Sequence, residues 1–129
     1  MAGCPTSDSV PNPVARAICV LQEKWVLHIV HALLQGPRGF NELGRDVGGC
    51  NPSTLRDRLG RLEQVGLVTR ACRDQDGRPR YTLTTSGEGL KEVIDAIHAW
   101  SLLHLHSTRG LPTDFASRIG ERAPTSPSN

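Results

Sequence analysis

Arginine is concentrated in one part of this chain, and its side chain is suited to binding phosphate groups and guanine. Residues 52–80 contain seven arginines against four acidic residues, so this segment carries +3 while the whole chain carries +2. A guanidinium group can bridge phosphate oxygens or bind guanine through two parallel hydrogen bonds, whereas lysine can do only the first. A polyanion such as DNA is therefore a candidate partner.

The first half of this segment is predicted to be a helix that begins after Asn51 and ends at Gly66. Asn51 can accept the unpaired backbone N–H groups of the first turn, and Pro52 has the backbone angle that this turn requires. Apolar residues at helical spacing predict one buried face, formed by Leu55, Leu59, Leu62 and Val65. The polar residues away from this face are the candidates for contact with DNA: Ser53, Thr54, Arg56, Asp57 and Arg61.

The second half of the segment has an extended pattern. The runs "LVTRACR" and "RYTLT" are separated by "DQDGRP", whose Asp76-Gly77 pair suits a tight turn, and together they predict a two-stranded hairpin. Arg78 and Arg80 on this hairpin are further candidates for DNA contact. A helix with a polar start followed by a basic hairpin is typical of a winged helix-turn-helix, in which the helix enters the major groove and the hairpin reaches the adjacent backbone or minor groove.

An ordinary solvated helix face is the alternative interpretation of these arginines. Asp57 and Arg61 are spaced for an i, i+4 ion pair, and Arg58 lies nearer the apolar edge. The adjacent basic hairpin favours DNA, because two basic elements then have the spacing of one known docking geometry. Aromatic residues make up only 4% of the chain, which argues against a platform that stacks single-stranded bases.

Helices are also predicted on both sides of this segment. Asn12 and Pro13 begin the first helix, "WVLHIVHALL" forms the second before "QGPRG", and a short third helix near Phe40 is closed by Gly48 and Gly49. After the hairpin, a long apolar helix extends to about residue 106. The apolar surface of such a terminal helix must be buried against another element, and a second copy of the chain is the simplest partner. The predicted dimer interface uses the first and last helices, through Val14, Ile18, Leu90, Ile94 and Ile97.

The length of 129 residues and the hydrophobic content of 37% suit a single domain. Termini rich in Ser, Pro and Gly predict flexible tails at residues 1–11 and 107–129, which leaves a domain at residues 12–106. The apolar runs are shorter than the roughly 20 residues of a membrane span, and the N-terminus lacks the pattern of a secretory signal. We therefore expect a cytoplasmic protein with reduced cysteines and no membrane partner.

Catalytic and metal-binding patterns are not found in the sequence. The four cysteines form no C-x-x-C pair, and no carboxylate or cysteine is positioned by sequence beside His28 and His31. No P-loop, nucleophile elbow or dinucleotide fingerprint occurs. We expect no enzyme activity, no metal and no cofactor; a thiol oxidoreductase would require a reactive cysteine pair.

The chain resembles the HxlR-type winged helix-turn-helix transcriptional regulators over about residues 12–106. The similar parts are "NPVARAICVLQEKWVLHIVHALLQGPRGFNEL", "RYTLTTSG", and a pattern formed by Pro52, Leu55, Arg58, Leu59, Leu62, Glu63, Gly66 and Leu67. MarR-type regulators share the hairpin and the "LTTSG" signal but lack the "GKW"-like and "GPRRF"-like runs. The resemblance implies a homodimer joined through the first and last helices, with the recognition helix and wing of each subunit on one half of a roughly palindromic operator.

One departure from the family concerns redox sensing. Many members carry a cysteine immediately before the proline that opens the first helix, and in some it senses oxidants or electrophiles. This chain has Asn12 there, so redox sensing is not implied. Cys4, in the predicted tail, is the candidate for a displaced sensor. Cys50 stands where an apolar residue is expected before the helix cap, and we predict that it is packed.

The sequence therefore predicts a mainly α fold with a small β-hairpin (α+β), a winged helix-turn-helix whose terminal helices form a dimer interface. We expect a homodimeric transcriptional regulator that binds double-stranded DNA, most simply as a repressor that blocks polymerase. The alternatives are a winged-helix protein-interaction module and a redox-sensing variant that uses a non-family cysteine. The sequence specifies neither the operator nor a small-molecule effector.

Overall fold

The structure, a computed structural model, describes residues 12–73, 75–107, 109 and 110, without the side chains of residues 71 and 72. Cys4 and most of the two predicted tails lie outside the described residues. The helices and strands within them follow in the order α1 (Pro13–Leu21), α2 (Val26–Leu33), β1 (Arg38–Gly39), α3 (Phe40–Val47), α4 (Pro52–Gln64), β2 (Val68–Arg73), β3 (Pro79–Leu83), α5 (Thr85–Glu88) and α6 (Leu90–His104).

The starts of α1 and α4 are set by the same pair of residue types. The Asn12 side chain accepts a hydrogen bond from the Val14 backbone N–H at 2.8 Å. Asn51 accepts from the Ser53 N–H at 2.8 Å, and a proline occupies the first turn of each helix. Because side-chain caps satisfy N–H groups that the helix leaves unpaired, both predicted helix starts are confirmed.

The wing is a three-stranded antiparallel sheet with the strand order β1-β3-β2. The predicted hairpin of β2 and β3 is present, and Gly77 in its turn has a φ of 82°, which favours glycine. A third strand, β1, was not predicted from the sequence; it pairs with β3 through Arg38 opposite Tyr81. With two residues, β1 is too short to show an alternating pattern.

The core lies between α2, α3, α4 and the sheet. Leu55, Leu59 and Leu62 are at most 1% exposed, as the predicted stripe requires. They fix the apolar face of α4 against the core. Val65, predicted in the same stripe, is 46% exposed because it follows the last residue of α4 and caps it. The other buried apolar residues are Trp25, Val26, Ile29, Val30, Leu33, Leu43, Val47, Val68 and Leu83.

The predicted long terminal helix is present, and a short separate turn, α5, precedes it. Thr84 caps α5: its hydroxyl accepts from the Gly87 N–H at 3.1 Å and donates to the Gly66 carbonyl at 2.6 Å. The long helix α6 follows and ends at His104. None of the helices in the described part of the chain has the length and apolarity needed to cross a membrane.

Candidate nucleic-acid interface

The N-terminal half of α4 presents a polar face to solvent. A turn through Gly48 and Gly49, with φ values of 69° and 89°, connects α3 to α4. Ser53 and Asp57 are exposed on α4, and Thr54 is half-buried. Since the leucines on the opposite side are buried in the core, this helix is held rigidly with its polar side outward.

The arginines of α4 have different surroundings. The Cζ atom of Arg56 lies 4.7 Å from the centroid of the Phe40 ring, in a cation–π contact. Arg61 is half-exposed, and its Nη1 atom lies 2.9 Å from Oε2 of Glu23 in the α1–α2 connection. The i, i+4 pair suggested by the spacing of Asp57 and Arg61 is replaced by a 2.6 Å contact between Asp57 and Arg58. Tertiary contacts therefore decide which of these arginines are ion-paired within the protomer.

Arg58 has a structural role in the protomer. Its Nε atom donates to the Lys24 carbonyl at 3.0 Å, so α4 is joined to the connection between α1 and α2. The side chain is only 22% exposed, as its position near the apolar edge of α4 led us to expect. Arg58 is thus oriented toward the protein body.

Arg80 on β3 also binds the protein itself. Its Nη2 atom donates to the Pro37 carbonyl at 2.8 Å and lies 3.4 Å from Oε1 of Glu42. The same Glu42 oxygen accepts the Gly39 N–H at 2.8 Å. This backbone hydrogen bond is the main cause that lowers the pKa of Glu42, and the charge of Arg80 lowers it further. Glu42 and Arg80 therefore hold β1, β3 and the start of α3 together.

A cleft of about 650 Å³ lies between α3, the start of α4 and the wing. It brings together Arg56, Arg78 and Arg80 from the predicted site, while Arg61 does not line it. Arg45 and Phe40 on α3 also line this cleft, and sequence reasoning did not select them. The only sequence signal for Arg45 was its position on the polar side of a short helix, which many solvated arginines share.

The cysteines differ in state. Cys50 packs against the core as predicted, and burial is the main cause that raises the pKa of its thiol. Cys19 on α1 is disulfide-bonded, so the expectation of four reduced cysteines was wrong. Within the part of the chain that the structure describes, no group of three or more His, Cys, Asp or Glu side chains is arranged to hold a metal ion.

The predicted dimer residues lie in two settings. Val14 and Ile18 on α1 and Ile97 on α6 are 64%, 52% and 45% exposed. Leu90 and Ile94 instead pack against the core of their own protomer. The exposed apolar surface of α6 also includes residues that the prediction omitted, namely Val93, Trp100, Leu102 and Leu103.

The fold defines a winged helix-turn-helix protein. Helices surround a buried core, a polar helix follows a glycine turn, and a basic sheet lies beside that helix. The sequence model of the HxlR-like helix-turn-helix family matches residues 20–109. The chain belongs to this family.

Curated relatives of the chain are named as transcriptional regulators. The HTH-type transcriptional regulator YodB of Bacillus subtilis is 30% identical over 99 residues, which cover 76% of this chain and 82% of YodB. The uncharacterised HTH-type regulator Rv3095 of Mycobacterium tuberculosis is 35% identical over 100 residues, which cover 77% of this chain but only 63% of Rv3095. The match therefore spans less than two thirds of the mycobacterial protein.

Solved structures share the fold. The reduced form of B. subtilis YodB is 28% identical with a TM-score of 0.65, over 75% of this chain and 97% of that one. YodB has also been solved bound to quinone and after diamide treatment. The reduced form of the redox regulator HypR is 24% identical with a TM-score of 0.67, over 74% of this chain and 95% of that one. At this identity the similarity supports only the assignment of the fold.

Proposed function

We propose that this chain is a sequence-specific DNA-binding regulator that acts as a homodimer on a roughly palindromic operator. The observation that carries the proposal is the exposed polar start of α4 beside an arginine-lined cleft and the wing. At 13 residues, α4 is about 20 Å long, and a helix of this diameter fits the major groove. Repression is the simplest outcome, since an occupied operator excludes polymerase.

The polar residues at the start of α4 are suited to reading base edges. The hydroxyl groups of Ser53 and Thr54 can donate or accept hydrogen bonds, and the Asp57 carboxylate can accept from the amino group of cytosine. Arg78 on the wing is suited to the phosphate backbone. The expected docking therefore separates base contacts on α4 from backbone contacts on the wing.

The homodimer is supported by the exposed apolar surface of α1 and α6. Ile18, Ile97 and Trp100 are each about half-exposed, and large exposed apolar patches are typical of an interface. A two-fold dimer presents two recognition helices, which fit successive major grooves when they are about 34 Å apart. A palindromic operator follows from that symmetry.

The first prediction concerns salt. Binding to DNA fragments selected from a random pool should weaken steeply as salt increases, because arginine–phosphate contacts release counterions. We expect Arg78→Ala to weaken operator and unrelated DNA alike and to reduce the log–log salt slope by about one. Fluorescence anisotropy over a salt series measures both effects. Lys91→Ala is the matched control, because it removes one exposed positive charge from α6 and Lys91 does not line the arginine-lined cleft.

Salt-independent binding would contradict the proposal. The alternative function, a protein-interaction module without DNA binding, predicts that the folded protein enriches no fragment from random or genomic DNA. Such a result would favour that alternative.

A redox-sensing variant of the same function is favoured by the disulfide at Cys19. This residue lies on α1, the helix that also carries Val14 and Ile18 of the proposed dimer surface. Making or breaking the disulfide should therefore alter operator affinity in the wild-type protein, and Cys19→Ser should abolish that response. The measurement is operator binding with and without reductant. Equal affinities in both conditions would exclude the redox variant and leave DNA binding intact.

A further inference from the structure

The cleft between α3, α4 and the wing has an excess of positive charge. Its charged lining residues are four arginines and one acid: Arg45, Arg56, Arg78, Arg80 and Glu42. Glu42 already pairs with Arg80 and accepts the Gly39 N–H. This acid therefore compensates Arg80, which is also bound to the Pro37 carbonyl.

Arg45 and Arg56 form no such ion pair with any described residue. Among the described residues, neither guanidinium group lies within 4.0 Å of a carboxylate oxygen, in contrast to the ion-paired Arg58, Arg61 and Arg80. The two side chains come from different helices and line the same cleft. The charge of Arg45 contributes to the lowered pKa of Glu42, but Glu42 is ion-paired with Arg80 and not with Arg45. Two cations without an ion-paired acid favour an anion that can accept hydrogen bonds from both.

Phe40 holds one of these two groups in place. Its ring packs against the core at the start of α3, and the Arg56 guanidinium lies over it at 4.7 Å. A cation–π contact involves no oxygen or nitrogen acceptor, so the N–H donors of the guanidinium remain available to an anion. The ring therefore restrains Arg56 without occupying the hydrogen bonds that an anion needs.

We propose that Arg45 and Arg56 clamp one phosphodiester group of the DNA backbone, with Phe40 as the positioning residue for Arg56. This inference rests on the proposed function and makes α3 a third contacting element beside α4 and the wing. DNA is the occupant because the cleft lies between the two elements that are proposed to dock on the duplex. Arg56 is accordingly a backbone contact rather than the base contact that its position on α4 suggested.

Alanine substitutions test the clamp. Arg45→Ala and Arg56→Ala should each weaken operator and unrelated DNA by the same factor, roughly tenfold for one charge-assisted contact, and each should reduce the salt slope by about one. Lys91→Ala serves as the control for loss of one charge. If Arg56→Ala lowers only operator affinity, Arg56 reads bases and the clamp is overturned.

The role of Phe40 requires a double-mutant comparison. Phe40→Leu should weaken DNA binding about two- to fivefold, the equivalent of one exposed cation–π contact, whereas Phe40→Tyr should retain it. Phe40→Leu should have no further effect on binding in the Arg56→Ala background. An equal loss in both backgrounds would show a purely structural role, and urea unfolding of each variant establishes that it is folded.

The outcomes separate this inference from the proposed function. If the wild type binds DNA and Arg45→Ala binds equally well at the same salt slope, the proposed clamp is wrong but the proposed function as a DNA-binding regulator is unaffected. If the wild type binds no DNA, both proposals fall. Inorganic phosphate is a further probe: at equal ionic strength it should compete with DNA better than chloride does, and this difference should be lost in Arg45→Ala. Equal competition by the two anions with the wild type would contradict a clamp for a phosphate group.

Discussion

Replacing Gly87 with alanine is expected to lower the free energy of unfolding by about 3 kcal/mol, the upper end of the usual range for overpacking. A Cβ atom at this position would lie 2.2 Å from the Leu67 carbonyl oxygen and 3.0 Å from Cδ2 of Leu83. The carbonyl oxygen cannot simply move away, because it accepts the Thr84 N–H at 3.0 Å. The added methyl group must therefore separate α5 from the connection between α4 and β2.

Urea unfolding followed by circular dichroism measures this loss. Gly60→Ala is the matched control, because nothing lies within 4 Å of a Cβ added there and the residue is inside α4. Alanine in a helix interior is favoured over glycine by up to about 1 kcal/mol, so this variant should be more stable than the wild type. Equal stability of Gly87→Ala and the wild type would contradict the close packing of α5.

Replacing Ile97 with aspartate is expected to dissociate the proposed dimer and to weaken operator binding about 100-fold or more. A two-fold interface presents the same residue from both copies, so one substitution introduces two carboxylates into the apolar surface. Their desolvation opposes association by several kcal/mol, and each 1.4 kcal/mol corresponds to about a tenfold change in the association constant. A monomer would contact only one half of the operator.

Sedimentation gives the mass of the variant, and titration of the full operator and one half-site gives the affinities. His98→Asp is the control, because it introduces the same charge at another exposed position of α6. It should remain dimeric and bind the operator normally. If Ile97→Asp keeps the dimer mass, the interface lies elsewhere; if it is a monomer with full operator affinity, the palindromic arrangement is wrong.

Local features of this fold could be predicted from the sequence. Asn12 and Asn51 act as helix caps through hydrogen bonds to residues two positions away. The stripe of Leu55, Leu59 and Leu62 follows from helical periodicity alone. These features depend on neighbours in the chain, and the same is true of the hairpin turn at Gly77.

The pairing of charged side chains was decided by the tertiary structure. Arg61 binds Glu23, which is 38 positions away, and Arg80 binds the Pro37 carbonyl, 43 positions away. Sequence reasoning treated both as available for DNA, because no local spacing reveals a partner this distant. Arg45 was overlooked for the same reason, since its position in the cleft depends on how α3 packs beside the wing.

The sequence by itself determined the caps, the helical stripes, the hairpin and the location of the basic segment. Only the tertiary structure decided that β1 joins the sheet, that Leu90 and Ile94 pack against the protomer core, and that Ile97 stays exposed. The physical reason is the range of the interactions. Capping and periodicity act over a few residues, whereas burial and ion pairing depend on which distant segments pack together.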